Sequence, residues 1–259
     1  SVTVEAMNCA VLLLGATPFT PSEYDVRIKA FTGLATPMYS NVINITISAY
    51  TTDNPKLWIP GGYQNASGYG ADWTHATAAQ LSASGFGKVD FEGYVNFEGT
   101  GAKYKYSTQA NWDGSNYGAG ADSGKISTTG GDIDAPTAGY YRVEVDTEKL
   151  TQKLTKTVWG IVGSSTPAGW PDSDATTVDN DSMMTYDKAT KTWTVTIPLT
   201  VGAIKFRANK AWDINYGDTG ADGILEAGGS DIAIAAAGNY TITLDFSKPR
   251  EYTYTLKKN

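Results

Sequence analysis

Acid–base or nucleophilic chemistry in this 259-residue chain would have to rest on very few side chains. His75 is the only histidine and Cys9 the only cysteine. A Ser–His–Asp device needs a base held against a nucleophile, but His75 lies in a loop rich in Gly, Ala and Thr and reads as a solvated loop histidine. Cys9 falls on the apolar side of the first predicted helix and reads as a buried structural thiol. Asp172, Asp174, Asp179 and Asp181 form an acidic cluster that raises calcium binding or a glycosidase carboxylate pair. It lacks the glycine and closing glutamate of an EF-hand loop, so it reads as a charged, soluble loop. No catalytic residue, metal ligand or cofactor is expected, and the chain is not expected to be an enzyme.

The residues that do form a pattern are aromatic and hydrogen-bonding. Lys105-Tyr-Ser-Thr-Gln-Ala-Asn-Trp112-Asp113 recurs as Lys205-Phe-Arg-Ala-Asn-Lys-Ala-Trp212-Asp213, and the match continues through Asn116-Tyr117-Gly118 and Asn215-Tyr216-Gly217. Strand alternation sends Ile204, Phe206 and Ala208 to a core and Lys205, Arg207 and Asn209 outward. The first copy presents Lys105, Ser107 and Gln109 in the same row. Trp112 and Trp212 follow the two rows. A second loop tryptophan precedes each lysine strand: Trp73 before Lys105, and Trp170 before Lys205.

This combination suits a neutral sugar, which has a C–H face that can lie on an aromatic ring and a rim of hydroxyls that need hydrogen-bond partners. Two rings set at an angle would cradle a curved glycan. The opposing reading makes Trp112 and Trp212 hairpin anchors in a core, leaving a structural or adaptor protein whose sandwiches space other components. Trp58, Trp159 and Trp193 lie in alternating strand openings and read as core.

The elements that position these residues are strands. Leu, Glu, Lys and Arg are sparse while Thr, Gly, Ser and Tyr abound, a composition of antiparallel sheets and turns. Residues 4–15 read as one helix, capped by Thr3 and ended by Gly15. Residues 23–31 and 42–50 alternate as half-buried strands. Two copies of about one hundred residues follow, opening at Leu57-Trp-Ile-Pro-Gly-Gly-Tyr63 and Val158-Trp-Gly-Ile-Val-Gly163 and closing at residues 139–154 and 238–256. The expectation is an all-β chain: residues 1–52 as the C-terminal part of an immunoglobulin-like domain with one short helix, then β-sandwich modules over 53–156 and 157–259.

Charge narrows the partners. Twenty basic residues against 27 acidic ones, a net of −7, with no Lys/Arg run, disfavour nucleic acid and anionic membrane surfaces. No apolar run of membrane-spanning length and no leader occurs. Since the chain begins at Ser1, an export signal or lipid anchor upstream stays open.

Leu57-Trp-Ile-Pro-Gly-Gly-Tyr-Gln64, Gly169-Trp170, Met184-Thr-Tyr-Asp187, Lys191-Thr-Trp-Thr194, Ile204-Lys-Phe-Arg-Ala-Asn209 and Trp212-Asp-Ile-Asn215 resemble the SusE/SusF family of outer-membrane starch-binding proteins of Bacteroides. The resemblance spans the chain, including Tyr24-Asp-Val-Arg-Ile-Lys29. It implies a non-catalytic lipoprotein on the extracellular face of the outer membrane, with tandem modules holding starch or α-glucan oligosaccharides near other glycan-uptake proteins. It places an aromatic platform on Trp170 and Trp212, with Lys205 and Arg207 as hydrogen-bonding cations and Asn215 nearby. In the first module the matching positions are Trp73, Trp112, Lys105 and Asn116. Two departures concern that module: Ser107 stands in place of the arginine, and residues 65–72 read as an insertion before Trp73.

Overall fold

The fold comes from a computed structural model that describes residues 2–31, 36–51, 53–171 and 181–259. It is all-β, with a single α-helix among the described residues and antiparallel pairing throughout. Two compact units divide the chain, residues 1–53 and residues 54–259. No helix among the described residues is long and apolar enough to cross a membrane.

In the first unit the helix spans Val4–Leu13, with Thr3 Oγ1 accepting the Ala6 N–H at 3.1 Å as an N-cap. Gly15, at φ +89°, turns the chain away at the other end, a conformation that favours glycine. The buried helix positions are Asn8 and Val11, one turn apart; Cys9, a step of about 100° round the helix from Asn8, is exposed. The expectation of a buried thiol is corrected by an asparagine that took the inner face. Asn8 accepts the Tyr50 N–H at 2.8 Å and donates to its carbonyl at 3.0 Å, which satisfies a polar side chain out of water. Strands Pro21–Val26 and Ile43–Ser48 pair antiparallel over their full length.

The second unit holds both copies. Each centres on a long antiparallel pair of eight-residue strands, Asp90–Phe97 with Gly139–Asp146 and Thr192–Leu199 with Gly238–Asp245. Alternation in Gly139–Asp146 buries Tyr141, Val143 and Val145, as a half-buried strand requires. Asp90–Phe97 instead is buried along nearly its whole length, because its second face is covered by the other copy. Tyr94 and Tyr140 of the first copy enter the core of the second with Trp159, Phe246 and Tyr252. The Tyr94 ring lies 4.3 Å from that of Phe246.

Polar groups complete this junction. Glu92, 7% exposed, accepts the Tyr252 hydroxyl at 2.6 Å, and the Arg142 and Arg250 guanidiniums stand 3.7 and 3.8 Å from its carboxylate. Arg250 also donates to the Ser82 carbonyl at 2.8 Å. Burial first, and then the Glu92 charge, push the Tyr216 phenol up to about 12, so it stays protonated beside Tyr94. The boundary expected at 156/157 falls between the strands Thr151–Lys156 and Trp159–Val162, and the aromatic core spans it.

Candidate functional site

The repeated segment folds in both copies as a hairpin whose turn carries a tryptophan. In the first, Tyr106 pairs with Tyr117 and Ser107 with Asn116; in the second, Phe206 pairs with Tyr216 and Arg207 with Asn215. The register of the two copies is therefore the one the repeat implies. Trp112 and Trp212 stand in the turns, each 44% exposed.

Each turn tryptophan meets the loop tryptophan expected beside it. Trp73 and Trp112 have ring centroids 6.3 Å apart and planes at 41°; Trp170 and Trp212 are 6.4 Å apart at 38°. Trp73 is 36% exposed and Trp170 half-buried. Both pairs thus leave aromatic surface open to solvent. Trp159 and Trp193 are buried, as expected of core residues.

Trp58 departs from that expectation: it is half-exposed, and its partner across the sheet is Ser107, whereas Gly160 faces Arg207. The two openings thus align with Leu57 in the place of Trp159 and Trp58 in the place of Gly160. Residues directly opposite in an antiparallel pair share a face, so Trp58 stands on the Ser107 face. A Cβ at Gly160 would lie 2.8 Å from that of Asp181, so this position must stay bare in the second copy.

Asp181 explains why. Its carboxylate receives Arg207 Nε at 2.9 and 3.2 Å and Nη2 as well, a forked pair with both side chains buried. The guanidinium carbon lies 5.1 Å from the Trp212 ring centroid, within cation–π range. The outward row expected of Lys205, Arg207 and Asn209 is corrected accordingly. Arg207 is 5% exposed and supports the tryptophan from below, because a fork-shaped cation can leave water when a buried carboxylate meets it in matching geometry. Ser107 is fully buried and donates to the Asn111 carbonyl at 2.7 Å. Asn209 receives the Val158 N–H and donates to the Lys156 carbonyl, tying the segment that enters the second copy. Asp181 is thus no solvated loop residue; Asp172, Asp174 and Asp179 lie outside the described residues. Among the described residues no group of three His, Cys, Asp or Glu side chains converges as a metal site.

The lysines keep their expected place. Lys205 Nζ stands 5.9 Å from the Trp212 ring centroid. Lys105 donates to the Gly130 carbonyl at 3.1 Å and, with Trp73, Trp112 and Asp132, lines a concavity of about 340 Å³. Asn116 and Asn215 hold the turns: Asn116 Nδ2 donates to the Trp112 and Gly114 carbonyls, and Asn215 Nδ2 to the Trp212 carbonyl at 2.7 Å. The Oδ1 atom of each is buried without a protein partner. These amides position the tryptophans.

The two loop tryptophans are presented by different devices. In the first copy, buried Gln64 accepts the N–H groups of Gly61 and Thr74 through Oε1 and donates to the Thr74 carbonyl through Nε2. Trp73 donates its N–H to the Gly61 carbonyl at 3.1 Å and sits at φ +58°, a strained conformation for a bulky residue that its surroundings must over-determine. In the second copy a tight turn suffices: Gly163 and Gly169 form an antiparallel bridge, Thr166 Oγ1 donates to the Gly163 carbonyl, and Gly169 takes φ +75° just before Trp170. A Cβ at Gly163 would fall 2.1 Å from the Ala203 carbonyl oxygen.

His75 is also relocated. It is 6% exposed, and its ring meets Trp112 edge to face at 4.4 Å and 83°. Burial holds its pKa below the usual imidazole value, which favours the neutral form. The sequence held one signal for this, the spacing of two residues from Trp73. Gln64 and Asp181 gave none, since each is recognisable only by the buried partner it meets.

Fold and site together define an all-β protein with two paired-tryptophan faces. No family model matches the chain, and no curated protein matches it. Among solved structures it is similar to the crystal structure of SusF from Bacteroides thetaiotaomicron, at 16% identity and a TM-score of 0.32. That alignment covers 99% of this chain and 62% of the other, so the chain spans less than two thirds of that protein's length.

Proposed function

We propose that this chain is a non-catalytic cell-surface protein that binds starch or related α-glucans through its two paired-tryptophan platforms. One observation carries the reading: the same pair of angled, solvent-facing rings is built twice, at 6.3 Å and 41° and at 6.4 Å and 38°. Rings inclined by about forty degrees make a concave apolar surface, and a curved glucan chain presents its C–H faces to such a surface better than a flat ribbon does. Lys105 and Lys205 stand beside the rings as donors to hydroxyls, each bond contributing about 0.5–1.5 kcal/mol net. The exposure of Trp73, Trp112 and Trp212 weighs against the adaptor reading in which these rings are core.

The domain reading is part of the proposal: residues 53–156 and 157–259 as starch-binding modules after the end of an immunoglobulin-like domain. Each site alone is weak, and a millimolar dissociation constant corresponds to about −4 kcal/mol. Two sites on one polymer raise avidity by about 10² where both engage. The resemblance of the sequence motifs to SusE/SusF proteins adds the setting: the outer face of an outer membrane, a lipid anchor upstream of this chain, and glycan-uptake proteins as partners.

Affinity electrophoresis in amylopectin gels tests the binding. The chain is expected to be retarded, and Trp112→Ala/Trp212→Ala to run as in a gel without polysaccharide. Unchanged mobility of the parent protein would remove starch, and a panel of other glycans would then show whether a different polysaccharide is held. Release of reducing ends from starch would overturn the non-catalytic assignment.

A further inference from the structure

The lysine strand of each copy has a second neighbour besides its hairpin partner. Tyr104 pairs with Ile133 and Lys103 with Asp134 in the first copy; Ile204 pairs with Ile232 and Ala203 with Ala233 in the second. Tyr104, Ile133, Ile204 and Ile232 are buried, so the residues on either side of them face outward. One step further along each ladder, Lys105 comes opposite Asp132 and Lys205 opposite Asp231. Opposite residues of an antiparallel pair share a face, and here it is the face of the tryptophans. Asp132 lines the concavity of about 340 Å³ with Trp73, Trp112 and Lys105, and Lys205 stands by the Trp212 ring.

The same ladder holds a contrasting pair. Lys103 and Asp134 close an ion pair at 2.5 Å, as opposite charges across a strand pair commonly do. Two residues away Asp132 stays open, and Lys105 turns instead to the Gly130 carbonyl. Among the described residues neither Asp132 nor Asp231 makes a hydrogen bond or a close ion pair, and Lys103 feels Asp132 less than it feels Asp134. In the second copy the closed pair is gone, its two positions being Ala203 and Ala233, while the open pair is present. A pair that served register or stability would be the one that closes. What both copies hold is the pair left open beside two rings.

An open carboxylate next to an ammonium offers acceptors and donors that the hydroxyl rim of a sugar can use together. Adjacent hydroxyls donate to the carboxylate and accept from the lysine, and hydrogen bonds to charged groups are the stronger kind. The two charges sum to zero, which suits an uncharged ligand. We propose that Asp132 and Asp231 are ligand-binding residues, each forming with its lysine a donor–acceptor pair that grips two adjacent hydroxyls of a neutral sugar lying on the tryptophans. In an α-1,4-glucan the free adjacent pair is the 2- and 3-hydroxyls. This assignment rests on the α-glucan reading and adds to it the hydroxyls that are recognised.

Calorimetric titration with β-cyclodextrin, a ring of α-1,4-linked glucose, and with its 2,3-O-methylated and 6-O-methylated forms tests it. Trp212→Ala isolates the first face and Trp112→Ala the second. Methylation of the 2- and 3-hydroxyls is expected to weaken binding at least about tenfold, and methylation of the 6-hydroxyl to leave it nearly unchanged. Asp132→Ala and Asp231→Ala are each expected to weaken β-cyclodextrin about tenfold at their own face, yet to hold the 2,3-methylated form no less tightly than their backgrounds do. A merely structural aspartate would weaken all three sugars alike. Asp134→Ala, which opens only the exposed pair with Lys103, is expected to leave the affinities as they are. The assignment is overturned if folded Asp132→Ala and Asp231→Ala bind β-cyclodextrin as their backgrounds do, or lose all three forms equally. A parent protein that binds neither cyclodextrin nor amylopectin would instead overturn the α-glucan reading, and this assignment with it.

Discussion

The two tryptophan pairs match within 0.1 Å and 3°, yet almost everything that holds them differs. The first copy uses a long loop pinned by buried Gln64, a tryptophan in left-handed backbone and a histidine edge against Trp112. The second uses a short glycine-framed turn and a buried Arg207–Asp181 pair beneath Trp212. The ring geometry is common to both, and the supports are interchangeable solutions to it. Where Arg207 is absent, Ser107 closes onto its own hairpin and Trp58 occupies the position that Gly160 leaves bare for Asp181.

If the supports are local, damage to one should stay in its own copy. The largest effect is expected from Asp181→Ala, which strands a buried guanidinium and should cost about 3–5 kcal/mol in urea unfolding. It should also weaken α-glucan binding at the Trp170/Trp212 face alone. An equal loss at the Trp73/Trp112 face would break the comparison. Next, Trp212→Ala and Trp112→Ala should each remove about 1.5–3 kcal/mol of ring burial from their own site. Titration with a short α-1,4-glucan in backgrounds where the other site is disabled would read this as a roughly ten- to hundredfold weakening.

Gln64→Ala leaves the Gly61 and Thr74 backbone groups unpaired and should cost about 1–3 kcal/mol, with a loss of affinity confined to the first face. The smallest effect expected is a pH dependence that only the first copy has. Burial depresses the His75 pKa, so as pH falls below about 6.5 the unfolded chain takes up the proton before the folded one does, and stability declines until the folded-state pKa is passed. Denaturation midpoints at pH 7.5 and 5 should show this decline, and His75→Gln should remove that part of it. A decline of the same size in the variant would assign it to other groups.

Much of this was legible in the residues. The hairpin register, Ser107 against Asn116 and Arg207 against Asn215, follows from the repeat, and Thr3 and Gly15 bound the helix as capping chemistry dictates. The pairing of Trp73 with Trp112 and of Trp170 with Trp212 followed from equivalent placement in the two copies. The burial of Arg207 lies beyond alternation, which gives the face of a side chain and not what covers that face; Asp181, 26 residues upstream, covers it. The exposure of Cys9 is not legible because the helix is apolar on several sides, and the choice between them lies with Asn8 and its bonds to Tyr50.

By itself, the sequence determined that this is an all-β chain with a duplicated hairpin, each copy carrying a lysine and two tryptophans at equivalent positions. Those properties are local: period-two alternation, turn residues and repetition act over a few residues and need no distant partner. Only the tertiary structure decided the angle between the rings, the burial of His75 and Arg207, and the entry of Tyr94 and Tyr140 into the core of the other copy. Each of these depends on which remote surface arrives to exclude water, and that is settled by packing across the sheets rather than along the chain.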